Sequence, residues 1–174
     1  KYPILKKGKF YPRGKKYSKK VMIENVKKNI KWLNSIKSNK TKIAIENNNY
    51  FNTGAYEYVT DTDFINILIK KFSIYILFDY SHAQITAYNK KFHFEEYYNK
   101  LNKDRIIQIH FCGYLIKNNV IYDSHNKPKK NDYLKLNNII KNLKNLEFIT
   151  IEYYKNLNIL DKICKTIKKM NKNI

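Results

Sequence analysis

Polar and apolar positions along the chain switch repeatedly between a helical and an extended period. From Ser18, a residue type suited to an N-cap, Val21, Met22, Val26, Ile30, Leu33 and Ile36 recur at helical spacing and predict a helix with one buried face. A polar connection over 38–41 leads to Ile43, Ala44 and Ile45, a short strand that stops at Glu46. Asn47, Asn48, Asn49 and Gly54 then form a polar loop, and a second amphipathic helix starts near Asp61, with Phe64, Ile65, Leu68 and Phe72 on its apolar side. The apolar run 74–79 reads as a buried strand ending in Asp79, followed by a loop that carries His82, Ala83 and Gln84 to a third helix over 94–101. Residues 106–111 form the next strand, which Gly113 ends; Asn118 and Asn119 turn the chain, and 120–123 is the return arm of a small hairpin closed by Ser124 and His125.

Residues 128–132 break the chain before a helix over 133–143, containing Leu134, Leu136, Ile139, Ile140 and Leu143. A strand over 148–153 and a final helix, with Ile159, Leu160, Ile163, Ile167 and Met170 at helical steps, complete the pattern before a tail of lysine and asparagine. Residues 1–17 have no sustained period and read as an extended lead-in to a domain spanning 18–174.

A leading helix and four strand–helix units indicate an α/β fold with parallel strands, of the (β/α) TIM-barrel type. A complete eight-fold barrel takes about 250 residues, so four units make a partial barrel, the C-terminal part of a single barrel domain. Half a barrel leaves two sheet edges open. Three arrangements resolve this: earlier strands upstream of Lys1, a second copy that completes the barrel as a homodimer, or an open sheet. The chain begins with Lys1 rather than Met, which fits a piece of something longer.

Sites in parallel α/β folds gather at the C-terminal ends of the strands. Glu46, Asp79, His110 and Glu152 all stand there, His82 lies just beyond one of them, and Asp123 and His125 hang from the loop after another. Separated by two, Asp123 and His125 share one side of an extended segment. Singly, each of the seven is better explained as a helix cap, a salt-bridge partner or a satisfied surface group than as a ligand. Together they would be costly to half-bury without a compensating cation. Mixed imidazole and carboxylate donors suit iron, manganese or zinc, and seven exceed what one ion needs once a coordination position is left open.

Other residue types add less. His93 lies away from the strand tips and reads as structural or exposed, and Cys112 reads as a packed small side chain. Asn47 and Asn48 directly follow Glu46 and are candidates to orient it or to bind substrate; Tyr50, Tyr80 and Tyr114, close to strand ends, are candidate pocket residues.

Composition then narrows the setting. The formal net charge is +21, from 35 Lys and Arg against 14 Asp and Glu, which suits an anionic partner. The excess is nearly all Lys, scattered among Asn and Ile, and only Arg13 and Arg105 can make bidentate phosphate contacts. A solvated basic face explains this better than a nucleic-acid surface. Two cysteines, Cys112 and Cys164, are too few for a disulfide framework and point to the cytoplasm. No apolar run approaches the roughly 20 residues of a membrane span, and no signal peptide is evident.

Five segments in register carry a family resemblance: Ile-Glu-Asn-Asn at 45–48, Leu-Phe-Asp-Tyr-Ser-His-Ala at 77–83, Asp-Arg-Ile-Ile-Gln-Ile-His-Phe-Cys-Gly at 104–113, Asp-Ser-His-Asn-Lys-Pro at 123–128 and Ile-Glu at 151–152. The chain resembles the multinuclear non-haem iron-dependent oxidative enzymes of the methanobactin-biosynthesis type. The resemblance implies a xylose-isomerase-like barrel holding two or three iron ions, with Glu46, Asp79, His82, His110, Asp123, His125 and Glu152 as ligands. It also implies oxygen-dependent modification of a ribosomally made precursor peptide, usually at cysteine, often with a partner protein that presents the peptide. Glu46, taken to lie on a central strand, is the expected bridging carboxylate. The front of the chain departs from the family, which draws further histidine ligands from earlier strands: residues 1–42 contain no histidine and only Glu24 as an acid. Two other readings are a zinc- or manganese-dependent hydrolase, endonuclease or isomerase on the same barrel, and a truncated relative without activity.

Overall fold

A computed structural model describes residues 2–6, 9–117 and 119–171. Strands β1 (Tyr2–Lys6) and β2 (Lys9–Arg13) pair antiparallel as a two-stranded sheet apart from the main sheet, where the sequence suggested a loop or extended lead-in. Helix α1 (Lys19–Ile36) starts as expected, with the Ser18 hydroxyl accepting from the Val21 N–H. Its apolar face is less covered than its periodicity implies: Ile30 is buried, but Val21 and Ile36 are exposed, because α1 packs chiefly against a single neighbouring helix.

Four parallel strands form the main sheet in the order β3 (Ala44–Glu46), β4 (Tyr75–Asp79), β5 (Ile106–Phe111) and β8 (Phe148–Ile151). Between β3 and β4 runs α2 (Thr62–Phe72), capped by the Asp61 carboxylate. Between β4 and β5 lie α3 (Tyr80–Lys90) and α4 (Phe94–Lys100). The antiparallel pair β6 (Gly113–Lys117) and β7 (Val120–Asn126), followed by α5 (Lys130–Lys141), connects β5 to β8, and α6 (Leu157–Asn171) ends the described chain. The Asn118 half of the anticipated turn and residues 172–174 of the tail lie outside the described residues. This is an α/β architecture with a helix-flanked parallel sheet, consistent with a partial TIM-type barrel.

The apolar core lies on the helix side of the sheet. Ile76 and Phe78 of β4, Ile109 and Phe111 of β5, and Phe64, Leu68, Ala83, Leu136 and Ile163 from the helices are almost fully buried. Each large apolar side chain sequestered in this way contributes about 1.5–3 kcal/mol. The other face of the same strands is more open: Tyr75 and Leu77 are half-buried, and Phe148 is 59% exposed. Parallel sheets ordinarily bury both faces. Here one face packs under helices and the other forms a more open wall.

Register fixes what stands on that wall. Glu46 pairs with Leu77, Leu77 with Gln108 and Gln108 with Phe148; one pleat further on, Asp79 pairs with His110 and His110 with Thr150. Acids and imidazoles from neighbouring strands therefore reach the C-terminal rim at nearly the same height. Glu46 belongs to an edge strand, not a central one as expected; β4 and β5, carrying Asp79 and His110, are central.

Candidate metal centre

Asp79 is the anchor of the rim. It is 1% exposed, ends β4 and caps α3, its Oδ1 accepting from the His82 N–H at 2.6 Å. His82, expected in a loop, thus sits on the first turn of a helix. The longer reading of that loop arose because α3 buries small and polar residues, Ser81, Ala83 and Thr86, which carry little apolar periodicity. Asn47, fully buried, locks the Asp79 backbone: its Nδ2 donates to the Asp79 carbonyl at 3.0 Å, and its Oδ1 accepts from the Asp79 N–H at 2.8 Å. The Asn47 carbonyl lies 2.9 Å from His82 Nδ1. A carbonyl can only accept, so that contact places a hydrogen on Nδ1 and turns Nε2 toward Asp123, 3.2 Å away at Oδ2.

On the far side, His110 ends β5, and Glu152 follows β8, with its N–H donating to the Phe111 carbonyl at 3.1 Å. Asp123 and His125 come from β7. They are brought together, but not by straight strand alternation: Tyr114 pairs with Asp123 and Gly113 with Asn126, so Ser124 and His125 bulge out of the ladder, and His125 adopts φ 47°. Gly113 makes the bulge feasible. A Cβ there would lie 2.5 Å from the Lys127 carbonyl oxygen.

The seven side chains form one continuous network. From Glu152 through His110, Glu46, His82 and Asp123 to His125, successive ligand atoms are 2.9, 3.7, 3.5, 3.2 and 3.5 Å apart, and Asp79 Oδ2 is 3.7 Å from His82 Nδ1. Two clusters have ligand atoms all within 4.8 Å of one another: Glu46, Asp79 and His82, and Asp79, His110 and Glu152. Asp79 belongs to both. A third cluster joins Cys112 to Asp123 and His125.

Electrostatics records the crowding. Burial pushes the Asp79 carboxyl up to about 7, against the opposing pull of His82. Burial alone would lower His82, yet its hydrogen bond to Asp123 and the charge of Asp79 carry it up to about 9. Asp123 is drawn below the usual carboxylate range; burial opposes this, and the His82 and His125 imidazoles outweigh it. Hydrogen bonds do not exhaust the donors. His110 Nδ1, Asp123 Oδ1 and the Ser124 hydroxyl are buried without a hydrogen-bond partner, His110 Nδ1 despite lying 2.9 Å from Glu152 Oε1. Orphaned lone pairs beside converging carboxylates and imidazoles fit a bound cation.

The remaining candidates separate from the network. Asn48 Oδ1 accepts from the neighbouring Asn49 N–H. Tyr80 is fully buried, its hydroxyl donating to Asp132 at 2.9 Å and accepting from Gln84 at 2.9 Å, which places its ring in the core. Tyr114 is half-buried beneath the Lys129 ammonium, 5.7 Å from the ring centre. It borders a groove of about 420 Å³ together with Leu115, Ile116, Lys129, Tyr153 and Lys155. The Tyr50 N–H donates to the Thr86 hydroxyl. His93 precedes α4, away from the rim, as expected. Two residues at the centre stood outside the expected set: Cys112, read as a packed small side chain over a thiol near the site although its parity with His110 was a signal, and Tyr154, 72% exposed, whose ring meets that of His125 at 5.7 Å.

No curated protein matches the chain. Among the described residues no helix is long and apolar enough to cross a membrane. A family model described as "RiPP precursor modification enzyme MbnB/TglH/ChrH" matches residues 17–174, an interval that contains every strand of the parallel sheet and all seven acids and imidazoles of the rim, and the chain belongs to that family.

Proposed function

We propose that the rim holds two or three iron ions and that the protein uses molecular oxygen to modify a ribosomally synthesised precursor peptide oxidatively, at cysteine. Membership of a precursor-modifying family supplies the enzyme class and the peptide substrate. The observation that supports the metal is the unbroken network of four carboxylates and three imidazoles, in which buried donor atoms remain without hydrogen-bond partners. The ligands in this reading are Glu46, Asp79, His82, His110, Asp123, His125 and Glu152. Asp79 is favoured as the bridge because two clusters share it; Glu46, within 3.7 Å of both His82 and His110, is a second bridging group.

Iron at this rim would supply oxygen activation and one-electron chemistry at the substrate cysteine. The chain's own residues do the rest. Asn47 holds Asp79 and fixes the His82 ring through its carbonyl, with Nδ1 toward Glu46 and Asp79 and Nε2 toward Asp123. The groove beside Tyr114 and Tyr153 offers aromatic and lysine side chains that suit a peptide. The more open face of the sheet is left for a presenting partner or a second copy to cover. In this reading residues 18–174 are the C-terminal part of a barrel-type metal domain working in the cytoplasm.

The test is metal analysis and peptide mass spectrometry on protein prepared without oxygen. Iron at two or more ions per chain, an oxygen-dependent mass change in a cysteine-containing precursor, and loss of iron in Glu46→Ala and His110→Ala are the expected results. Zinc or manganese with cleavage of nucleic acid would instead favour a hydrolase on the same barrel, the one alternative with support in the net charge of +21. A folded chain that takes up no metal would overturn the proposal.

A further inference from the structure

The third cluster at the rim differs chemically from the other two because one of its donors is sulfur. Cys112 lies one residue beyond β5, is 1% exposed, and places its Sγ within 4.8 Å of ligand atoms of both Asp123 and His125. Its position is set from two sides. The Ser81 hydroxyl, on the first turn of α3, donates to the Cys112 carbonyl at 2.7 Å, and Ser81 Oγ sits 3.2 Å from Sγ. The Ser81 hydroxyl lies within reach of both the carbonyl and the sulfur, so its hydrogen can turn to Sγ when the thiol proton leaves. The β6–β7 bulge brings Asp123 and His125 up to the same point, and it leaves Asp123 Oδ1 and the Ser124 hydroxyl buried without partners.

We propose that Cys112 is a metal ligand, its Sγ joining Asp123 and His125 in a third, sulfur-containing position of the centre. On coordination the S–H bond breaks, the electron pair stays on sulfur as the donor pair, and the proton passes to buffer. A donor set of one sulfur, one imidazole nitrogen and one carboxylate oxygen selects iron, cobalt or zinc over magnesium and calcium. The ion there would also satisfy Asp123 Oδ1, and its near-complete burial keeps the sulfur from acting as an exposed reactive thiol. A small side chain serving only to fill space has no need of two ligand atoms at this range.

This inference rests on the metal-centre reading, and cobalt(II) distinguishes the two. Titrated anaerobically into the whole chain, cobalt should produce a near-ultraviolet thiolate-to-cobalt charge-transfer band in the wild type and in Cys164→Ser. The band should disappear in Cys112→Ala, and cobalt bound to the third position should weaken at least about tenfold, with the remaining ions retained. Persistence of the band in Cys112→Ala, or its absence from cobalt-saturated wild type, would overturn the assignment of sulfur while leaving the seven-ligand centre standing. No uptake of cobalt at all would overturn both. If Cys112→Ala does not fold, X-ray absorption on the cobalt- or zinc-loaded wild type decides: a sulfur neighbour at about 2.3 Å supports the ligand, and a shell of nitrogen and oxygen alone refutes it.

Discussion

His82 Nε2 lies 3.2 Å from Asp123 Oδ2, so the first turn of α3 and the bulged strand β7 meet through one proton-bearing contact. The same imidazole faces Asp79 and Glu46 on its Nδ1 side. With His82 held up to about 9 and Asp79 up to about 7, His82 keeps its proton at neutral pH in the metal-free protein and Asp79 keeps roughly half of its own. Each shift is upward, so protons compete with the metal below the raised values and are lost above them. Metal affinity should therefore rise by about tenfold per pH unit or more between pH 6 and 9, with proton release on binding. Calorimetry in two buffers of different ionisation enthalpy checks this, and an affinity independent of pH would contradict it.

Asn47 should prove structural in its effect on Asp79 where Asn48 does not. Asn47→Ala removes two buried hydrogen bonds to the Asp79 backbone and is expected to cost about 2 kcal/mol, measured by denaturant unfolding, together with weakened metal binding. Asn48→Ala, whose side chain serves only the adjacent Asn49 N–H, should change stability by less than about 0.5 kcal/mol. A loss of peptide binding in Asn48→Ala without a loss of metal would assign it to the substrate.

Gly113→Ala should damage the centre from a distance. The added Cβ falls 2.5 Å from the Lys127 carbonyl oxygen, which forces β6 and β7 apart at the bulge. About 2 kcal/mol of stability should be lost, and the metal bound through Asp123 and His125 should be lost before that bound through Asp79 and Glu152. Stoichiometric metal titration of the variant reads both effects.

Tyr80→Phe separates core from pocket. Deleting the hydroxyl leaves Asp132, 4% exposed, short of one donor, and should lower stability by about 1–2 kcal/mol with metal content unchanged. Loss of peptide affinity at unchanged stability would instead return Tyr80 to the substrate site.

Much of the rim was legible because apolar runs that end in an acid or an imidazole announce both a strand and the polar group at its C-terminal end: the positions of Glu46, Asp79, His110 and Glu152 were all readable in this way. The helix beginning at Tyr80 was hidden, since Ser81 and Thr86 are buried through hydrogen bonds rather than through apolar character. His125 was assigned to the right neighbour for an incomplete reason, because a bulge depends on the tight approach at Gly113 across the hairpin, which no local period reports. The order of strands in the sheet also lies beyond periodicity, which is why Glu46 was placed at the centre and found at an edge.

Asp79 divides its labour between two oxygens: Oδ1 holds the first turn of α3, while Oδ2 looks across to His82. An ion recruited by the second oxygen leaves the first at its post, so filling the centre does not ask the helix to unwind. In the proposed centre, loading and emptying would then leave that first turn in place and change only the proton inventory.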